Sequence, residues 1–138
     1  MAVILDLADA VATRLNAASF TESFTATRDV LPIKALEDIA ALEVSVAAGA
    51  EAWEKSDRAG SYTVTYDVIV AVQAPIGTET AVDACLVTVE EVKADLASQR
   101  MAGLPLVEVE QEQPFDAELL YSSNVFLAVI TFRYRGFK

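Results

Sequence analysis

The sequence predicts an α+β domain in which a single mixed, mainly antiparallel sheet packs against two helices, with a long β-hairpin loop. Two segments repeat apolar residues at helical spacing, and several others alternate apolar and polar residues as strands do. No internal repeat, low-complexity tract or second domain is evident in the 138 residues. A chain of this length is an ordinary domain size, so residues 1–138 are predicted to form a single domain.

The first predicted helix covers residues 3–16. Its apolar stripe follows the spacing i, i+3, i+4, i+7 and i+11 and consists of Ile4, Leu7, Ala8, Val11 and Leu15. A strand is predicted next, over residues 19–28, because Thr and Phe favour extended structure. Pro32 then breaks the chain, and residues 34–39 are predicted to form a single helical turn.

Two strand-like runs follow, joined by a segment far longer than a hairpin needs. The first run covers residues 42–46, and the second, residues 62–73, is the strongest strand pattern in the chain. Residues 49–60 are predicted to be a loop, although hairpin loops usually have about 2–5 residues and longer ones are usually functional or disordered.

This loop carries the only Trp of the chain among charged residues. Aromatic residues and Arg are enriched where proteins meet partners, so the loop is predicted to be a docking tip. In the alternative interpretation, the Trp folds back over its own sheet. The candidate contact residues of the tip are Trp53, Glu54, Lys55, Asp57 and Arg58.

The second half of the chain supplies the second helix and the remaining strands. A strand with an acidic face is predicted over residues 106–111. The helix is predicted over residues 80–100, and its apolar stripe consists of Val82, Cys85, Leu86, Val89, Val92 and Leu96. Residues 115–121 fit either a strand or a short turn. The final strand, residues 124–134, begins apolar on both faces and is therefore predicted to be central and covered on both sides.

The charge pattern excludes some partners and suggests others. The chain has 21 acidic and 10 basic residues, a formal charge of −11, which disfavours nucleic acid and anionic membranes as main partners. No apolar run reaches the ~18 residues of a membrane span, and the first residues lack the basic region of a signal peptide.

Acidic and basic residues are also segregated near the C-terminus. This segregation suits head-to-tail packing of identical subunits. Two alternatives stay open, namely that the residues form solvated strand faces, or that neighbouring strands neutralise each other within one subunit. The candidate contact residues here are Glu108, Glu110, Glu112, Arg133 and Arg135.

The inventory of reactive residues points away from catalysis. The chain has no histidine, which excludes Ser/His/Asp and Cys/His nucleophile systems, and no Gly-rich nucleotide loop. Cys85 lies on the apolar stripe of the second helix and is predicted to be a small core residue. The three glutamates of the acidic strand could ligate a hard cation, but they lack a calcium-loop pattern. We therefore predict no catalytic, cofactor or metal site.

Taken in order, these segments resemble the tail terminator family of long-tailed bacteriophages, the minor tail protein U-like or tail-completion proteins. The resemblance covers nearly the whole chain in order and spacing. It rests on a helix, an extended run, a segment leading into a strand, a strand after a charged loop, a second helix and a closing strand. The helix covers residues 2–16, the extended run 28–32, and the segment 36–39 leads into the strand 42–46. The strand after the charged loop covers residues 62–72 and the closing strand 125–134.

The resemblance implies a non-enzymatic virion protein made in the host cytoplasm. Such proteins form a homo-oligomeric ring, commonly a hexamer, that caps the tail tube at its head-proximal end and presents a surface to the neck. The implied partners are further copies of the chain, the tail tube protein and a neck or connector protein, with DNA passing through the ring. An acidic lumen would repel that DNA, and the long loop would reach a neighbouring subunit or the adjacent ring.

Two other functions stay open. A head–tail connector of the stopper or adaptor type would share the same setting and nearly the same sequence features. A small ligand-binding domain or enzyme would instead need a pocket with perturbed carboxylates, for which Glu108, Glu110 and Glu112 are the candidates.

Overall fold

The computed structural model describes residues 3–30, 41–55, 60–76 and 79–137. In these residues, eight elements follow one another in the order α, β, β, β, α, β, α, β. Their bounds are α1 Val3–Ala17, β1 Ala26–Arg28, β2 Glu43–Lys55, β3 Tyr62–Pro75, α2 Glu79–Ala97, β4 Leu106–Glu110, α3 Ala117–Ser123 and β5 Val125–Phe137.

The five strands form one mixed sheet in the order β1-β2-β3-β5-β4. β1 is parallel to β2, and the other three pairings are antiparallel. The predicted α+β fold with a mixed, mainly antiparallel sheet is thereby confirmed. The helical turn predicted over residues 34–39 lies outside the described residues.

The core lies between α1, α2 and one face of the sheet, which we call the helix face. Both predicted apolar stripes are confirmed, because Leu7, Val11 and Leu15 of α1 and Val89 and Val92 of α2 are buried. Arg14 of α1 pairs with Asp95 of α2 through two contacts of 2.6 and 3.0 Å and links the two helices. The sheet contributes alternate apolar residues, which include Val44, Val46, Val64, Tyr66, Val68, Val70, Val72, Phe126, Ile130, Phe132 and Tyr134.

The opposite side of the sheet, the outer face, has a different composition. It carries Asp67 and Ile69 of β3 opposite Arg133 and Thr131 of β5, with Glu108 of β4 beside Arg133. The first four residues of β5 are buried whichever face they occupy. This confirms that β5, which lies between β3 and β4, is covered on both sides in its first half.

The prediction of a loop over residues 49–60 is wrong for residues 49–55, which belong to β2. β2 continues through Lys55 and pairs with β3 until Lys55 lies opposite Tyr62. The pairing shifts by one residue between Ala48 and Glu51. A β-bulge here reverses which side chains face the core, and the weak strand formers Ala and Glu hide the continuation from the sequence.

Two further segments differ from the prediction. The strand predicted over residues 19–28 is reduced to β1. The rings of Phe20 and Phe24 stack with their centroids 5.0 Å apart, which residues four apart on an extended strand cannot do. Residues 115–121, predicted as a strand or a short turn, overlap helix α3, which covers Ala117–Ser123. The carboxylate of Asp116 caps α3 by accepting a hydrogen bond from the backbone N–H of Leu119 at 3.0 Å.

Candidate functional site

Three strand ends come together at one end of the sheet and form the surface that we call the arm. It consists of residues 51–55 of β2, 62–66 of β3 and 134–137 of β5, which pair in that order. The β2 portion is exposed at every residue. Because the sheet ladder continues as far as the pair of Lys55 and Tyr62, the candidate contacts Trp53, Glu54 and Lys55 lie on a paired strand, whose geometry is more fixed than that of a loop.

Trp53 is the central aromatic residue of the arm. It is 50% exposed, and its ring meets that of Tyr62 edge-on, with the centroids 5.6 Å apart. The indole N–H donates a hydrogen bond of 2.7 Å to the carboxylate of Glu51. Glu54 and Lys55 are exposed beside it. Trp53 is thus oriented by its neighbours while half of its surface stays accessible, a state that favours contact with a partner.

The other residues predicted for this tip, Asp57 and Arg58, lie outside the described residues. Tyr62 and Phe137 are aromatic residues of the arm that the sequence prediction missed as contacts. They are 39% and 77% exposed, respectively. Their signal in the sequence was the position of large aromatic residues at strand ends, where the sheet has the least cover.

The acidic and basic residues near the C-terminus meet within one subunit at Arg133. Its guanidinium bonds to Asp67 at 2.8 Å, to Glu110 at 3.1 Å and to Glu108. Hydrogen bonds to Asp67 and Glu108 raise the pKa of Arg133 above its ordinary value. For Arg133, Glu108 and Glu110, the contacts in the structure match the alternative in which neighbouring strands neutralise each other within one subunit.

Asp67 is the member of this cluster that sequence reasoning missed. It is the single acidic residue in the strongest strand of the chain, and its side chain is only 17% exposed. A charged side chain at a largely buried strand position needs a partner of opposite charge. The place of Asp67 in this strand was therefore the signal in the sequence that it takes part in an ion pair. The pairing depends on the register that places Asp67 opposite Arg133.

Arg135 differs from Arg133, although it lies only two residues further along the same face. It is exposed, and its backbone N–H donates to the carbonyl of Pro105 at 3.2 Å. Within the described part of the chain, its guanidinium takes part in no ion pair. It therefore stays available for a contact outside the subunit.

A groove of about 390 Å³ opens on the outer face beside β4 and β5. Leu127, Val129 and Thr131 of β5 form the floor, which is apolar at Leu127 and Val129. The rim is polar and acidic, and it consists of Glu110, Glu112, Gln113 and Asp116. Glu112, the third glutamate predicted for subunit contact, is therefore in this groove and apart from the Arg133 cluster.

Two residues with reactive side chains are deeply buried. Cys85 is 6% exposed, and burial raises the pKa of its thiol to about 11, so the nucleophilic thiolate is scarce at neutral pH. Tyr134 is fully buried, its hydroxyl has no hydrogen-bond partner among the described residues, and burial raises its pKa. Neither setting is that of an activated group.

The described residues contain no group of three or more Cys, Asp and Glu placed to hold a metal ion. Across the same residues, no helix combines the length and apolar composition needed to cross a membrane.

The fold recurs in a chain of a solved structure described as the virion of a native gene transfer agent particle. The two chains are 20% identical, the TM-score is 0.60, and the match covers 97% of this chain and 96% of the other. No protein family and no curated protein matches the sequence. The likeness therefore shows a fold shared over nearly the whole length of both chains.

Proposed function

We propose that this protein is a structural subunit of a phage-like particle. The observation that carries the proposal is the end-to-end fold match to a chain of a gene transfer agent virion. A match that leaves almost no residue of either chain outside the shared fold favours a related role over a common small motif. The absence of histidine and the high pKa of Cys85 are consistent with a structural role.

Within such a particle, we propose the role of tail terminator, in which copies of the chain form a ring that caps the tail tube. The order and spacing of the whole chain support this role, through the resemblance to the tail terminator family. The ring is expected to be a hexamer, with the tail tube protein on one side, a neck protein on the other and DNA passing through its lumen. A ring needs two different contact surfaces on each subunit, and we propose the arm and the groove for these two surfaces.

The arm is proposed to be the surface that contacts a neighbouring subunit or the adjacent ring. Trp53 supplies a large aromatic surface that is already oriented by Tyr62 and Glu51, so little conformational freedom is lost on contact. Trp53→Ala should leave the fold intact and weaken assembly. A matched control is Tyr121→Ala, since Tyr121 is 93% exposed on α3 and outside the arm.

The test is native mass spectrometry of the purified chain, alone and with the tail tube protein, followed by electron microscopy of the tubes. A terminator should form a closed ring, bind tube ends and limit tube length. A ring that binds the neck protein and does not bind tubes would identify a head–tail connector instead. A chain that stays monomeric and never binds tube ends would overturn the terminator proposal.

The same purified chain tests the alternative of a carboxylate-based enzyme or binding domain. Glu108 and Glu110 are already held by Arg133, which leaves them poorly placed to act on a ligand. If that alternative were right, replacing Glu108, Glu110 and Glu112 together would abolish a measurable activity without affecting assembly.

A further inference from the structure

The groove on the outer face presents an acidic residue whose charge the subunit does not neutralise. Of its acidic residues, Glu110 is bonded to Arg133 at 3.1 Å, and Asp116 caps α3 through the Leu119 N–H. Glu112 is exposed and has no ion pair among the described residues. Because this carboxylate stands beside an apolar floor, the groove suits an occupant that carries both a cation and an apolar group.

The opposite end of β5 carries such a pair on the same outer face. Arg135 is exposed without an ion pair in the described part of the chain, and Phe137 is 77% exposed. Residues two apart on a strand project from the same face, so Arg135 and Phe137 are neighbours on the outer face. This combination matches the charge and the polarity of the groove.

The two surfaces lie too far apart to meet within one subunit. Val129 of the groove floor and Arg135 are six residues apart on one strand, which corresponds to about 20 Å. An Arg side chain reaches only a fraction of that distance. Any contact between these surfaces must therefore join two copies of the chain.

We infer that the β5 end of one copy, with Arg135 and Phe137, docks in the outer-face groove of a second copy. In this contact, Arg135 pairs with Glu112, and Phe137 covers the floor at Leu127 and Val129. The contact joins two different surfaces, so it propagates from copy to copy and can close into a ring. The inference rests on the proposed ring and names the residues that connect its subunits.

Charge considerations support the same pairing. Each copy carries a formal charge of −11, so two copies repel each other at low ionic strength unless a cation of one faces a carboxylate of the other. Arg133 cannot serve, because three carboxylates of its own subunit already surround it. Arg135 is free to do so.

The test uses two charge reversals, Arg135→Glu and Glu112→Arg, each followed by native mass spectrometry. Each variant alone should fail to assemble, because like charges then meet at every contact. An equimolar mixture should recover assembly, since both kinds of contact between unlike copies are again of opposite charge. The recovered ring should contain the two variants in equal numbers. Phe137→Ala should weaken assembly about tenfold or more, as expected for a buried aromatic anchor.

Matched controls separate this contact from a general effect of charge. Arg100→Glu and Glu118→Arg carry the same charge changes at exposed positions outside the groove and the β5 end, and both should assemble as the unmodified chain does. Two outcomes would show that the inferred contact is wrong while the proposed ring stands, provided that the unmodified chain forms rings. In the first, either Arg135→Glu or Glu112→Arg assembles normally. In the second, the mixture of the two variants fails to assemble. If the unmodified chain forms no ring, both are wrong.

Discussion

Replacing Arg133 with Met tests the cluster on the outer face most directly. Met preserves much of the side-chain length but removes all three charged contacts. The bond to Asp67 is the most protected, because the side chains are 25% and 17% exposed, and a charge-assisted hydrogen bond of this kind contributes about 1.5–3 kcal/mol. Glu108 and Glu110 are 55% and 53% exposed, so each adds only about 0.2–1 kcal/mol.

We therefore expect Arg133→Met to lower the free energy of unfolding by about 2–4 kcal/mol. Urea unfolding at a concentration where the chain is monomeric measures this loss without a contribution from assembly. A double-mutant cycle with Asp67→Asn should give a coupling of about 1.5–3 kcal/mol, because removing either partner removes the same bond. High salt should weaken the contribution of the two exposed glutamates more than that of Asp67.

Two results would refute this reasoning. A loss below about 0.5 kcal/mol for Arg133→Met would mean that the cluster is no more than a set of surface charges. Additive effects of Arg133→Met and Asp67→Asn would mean that the two side chains do not interact in solution. In either case, Arg133 would again be a candidate for contact between subunits.

The remaining predictions concern three positions. Gly49→Ala should destabilise the monomer by about 1–3 kcal/mol in urea unfolding, because the new Cβ would lie 3.0 Å from the carbonyl oxygen of Asp67; an unchanged midpoint would contradict the close approach. Tyr134→Phe should be neutral or stabilising, since it removes a buried hydroxyl without a hydrogen-bond partner among the described residues. Because burial raises the folded-state pKa of Tyr134, the unfolded chain loses this phenol proton first, so the free energy of unfolding falls as the pH rises above ~10; thermal unfolding should show a smaller alkaline loss of stability in Tyr134→Phe than in Tyr66→Phe, which keeps Tyr134. Cys85 should react slowly with a disulfide reagent at neutral pH and quickly after denaturation, and rapid reaction of the folded chain would contradict its burial.

Much of the fold could be predicted from the sequence where one periodicity holds along an element. β3 and β5 alternate without interruption, and the stripes of α1 and α2 keep helical spacing, so all four were predicted with nearly the observed bounds. The end of β2 was not, because its alternation reverses at the bulge and its residues are weak strand formers. The short helix α3 spans only seven residues, too few for a periodicity to separate it from a strand.

The candidate site could be predicted as a set of residues but not as a set of contacts. The opposite charges of Glu108, Glu110 and Arg133 were evident from the sequence, yet whether they meet within a subunit depends on the register between β4 and β5. Asp67 completes the cluster from a distant part of the chain, 66 residues away. Arg133 and Arg135 look equivalent in the sequence, and their different surroundings arise only from the folded sheet.

The bulge in β2 has a consequence for how this hairpin can change in length. Elsewhere in a strand, deleting one residue turns every later side chain to the opposite face. Here two residues, Gly49 and Ala50, oppose a single residue of β3. Ala48 pairs with Val68 on one side of the bulge, and Glu51 pairs with Tyr66 on the other. Removing Ala50 would therefore give a regular ladder in which both halves of the strand retain their faces. The hairpin thus has a position at which a one-residue deletion leaves the core and Trp53 where they are.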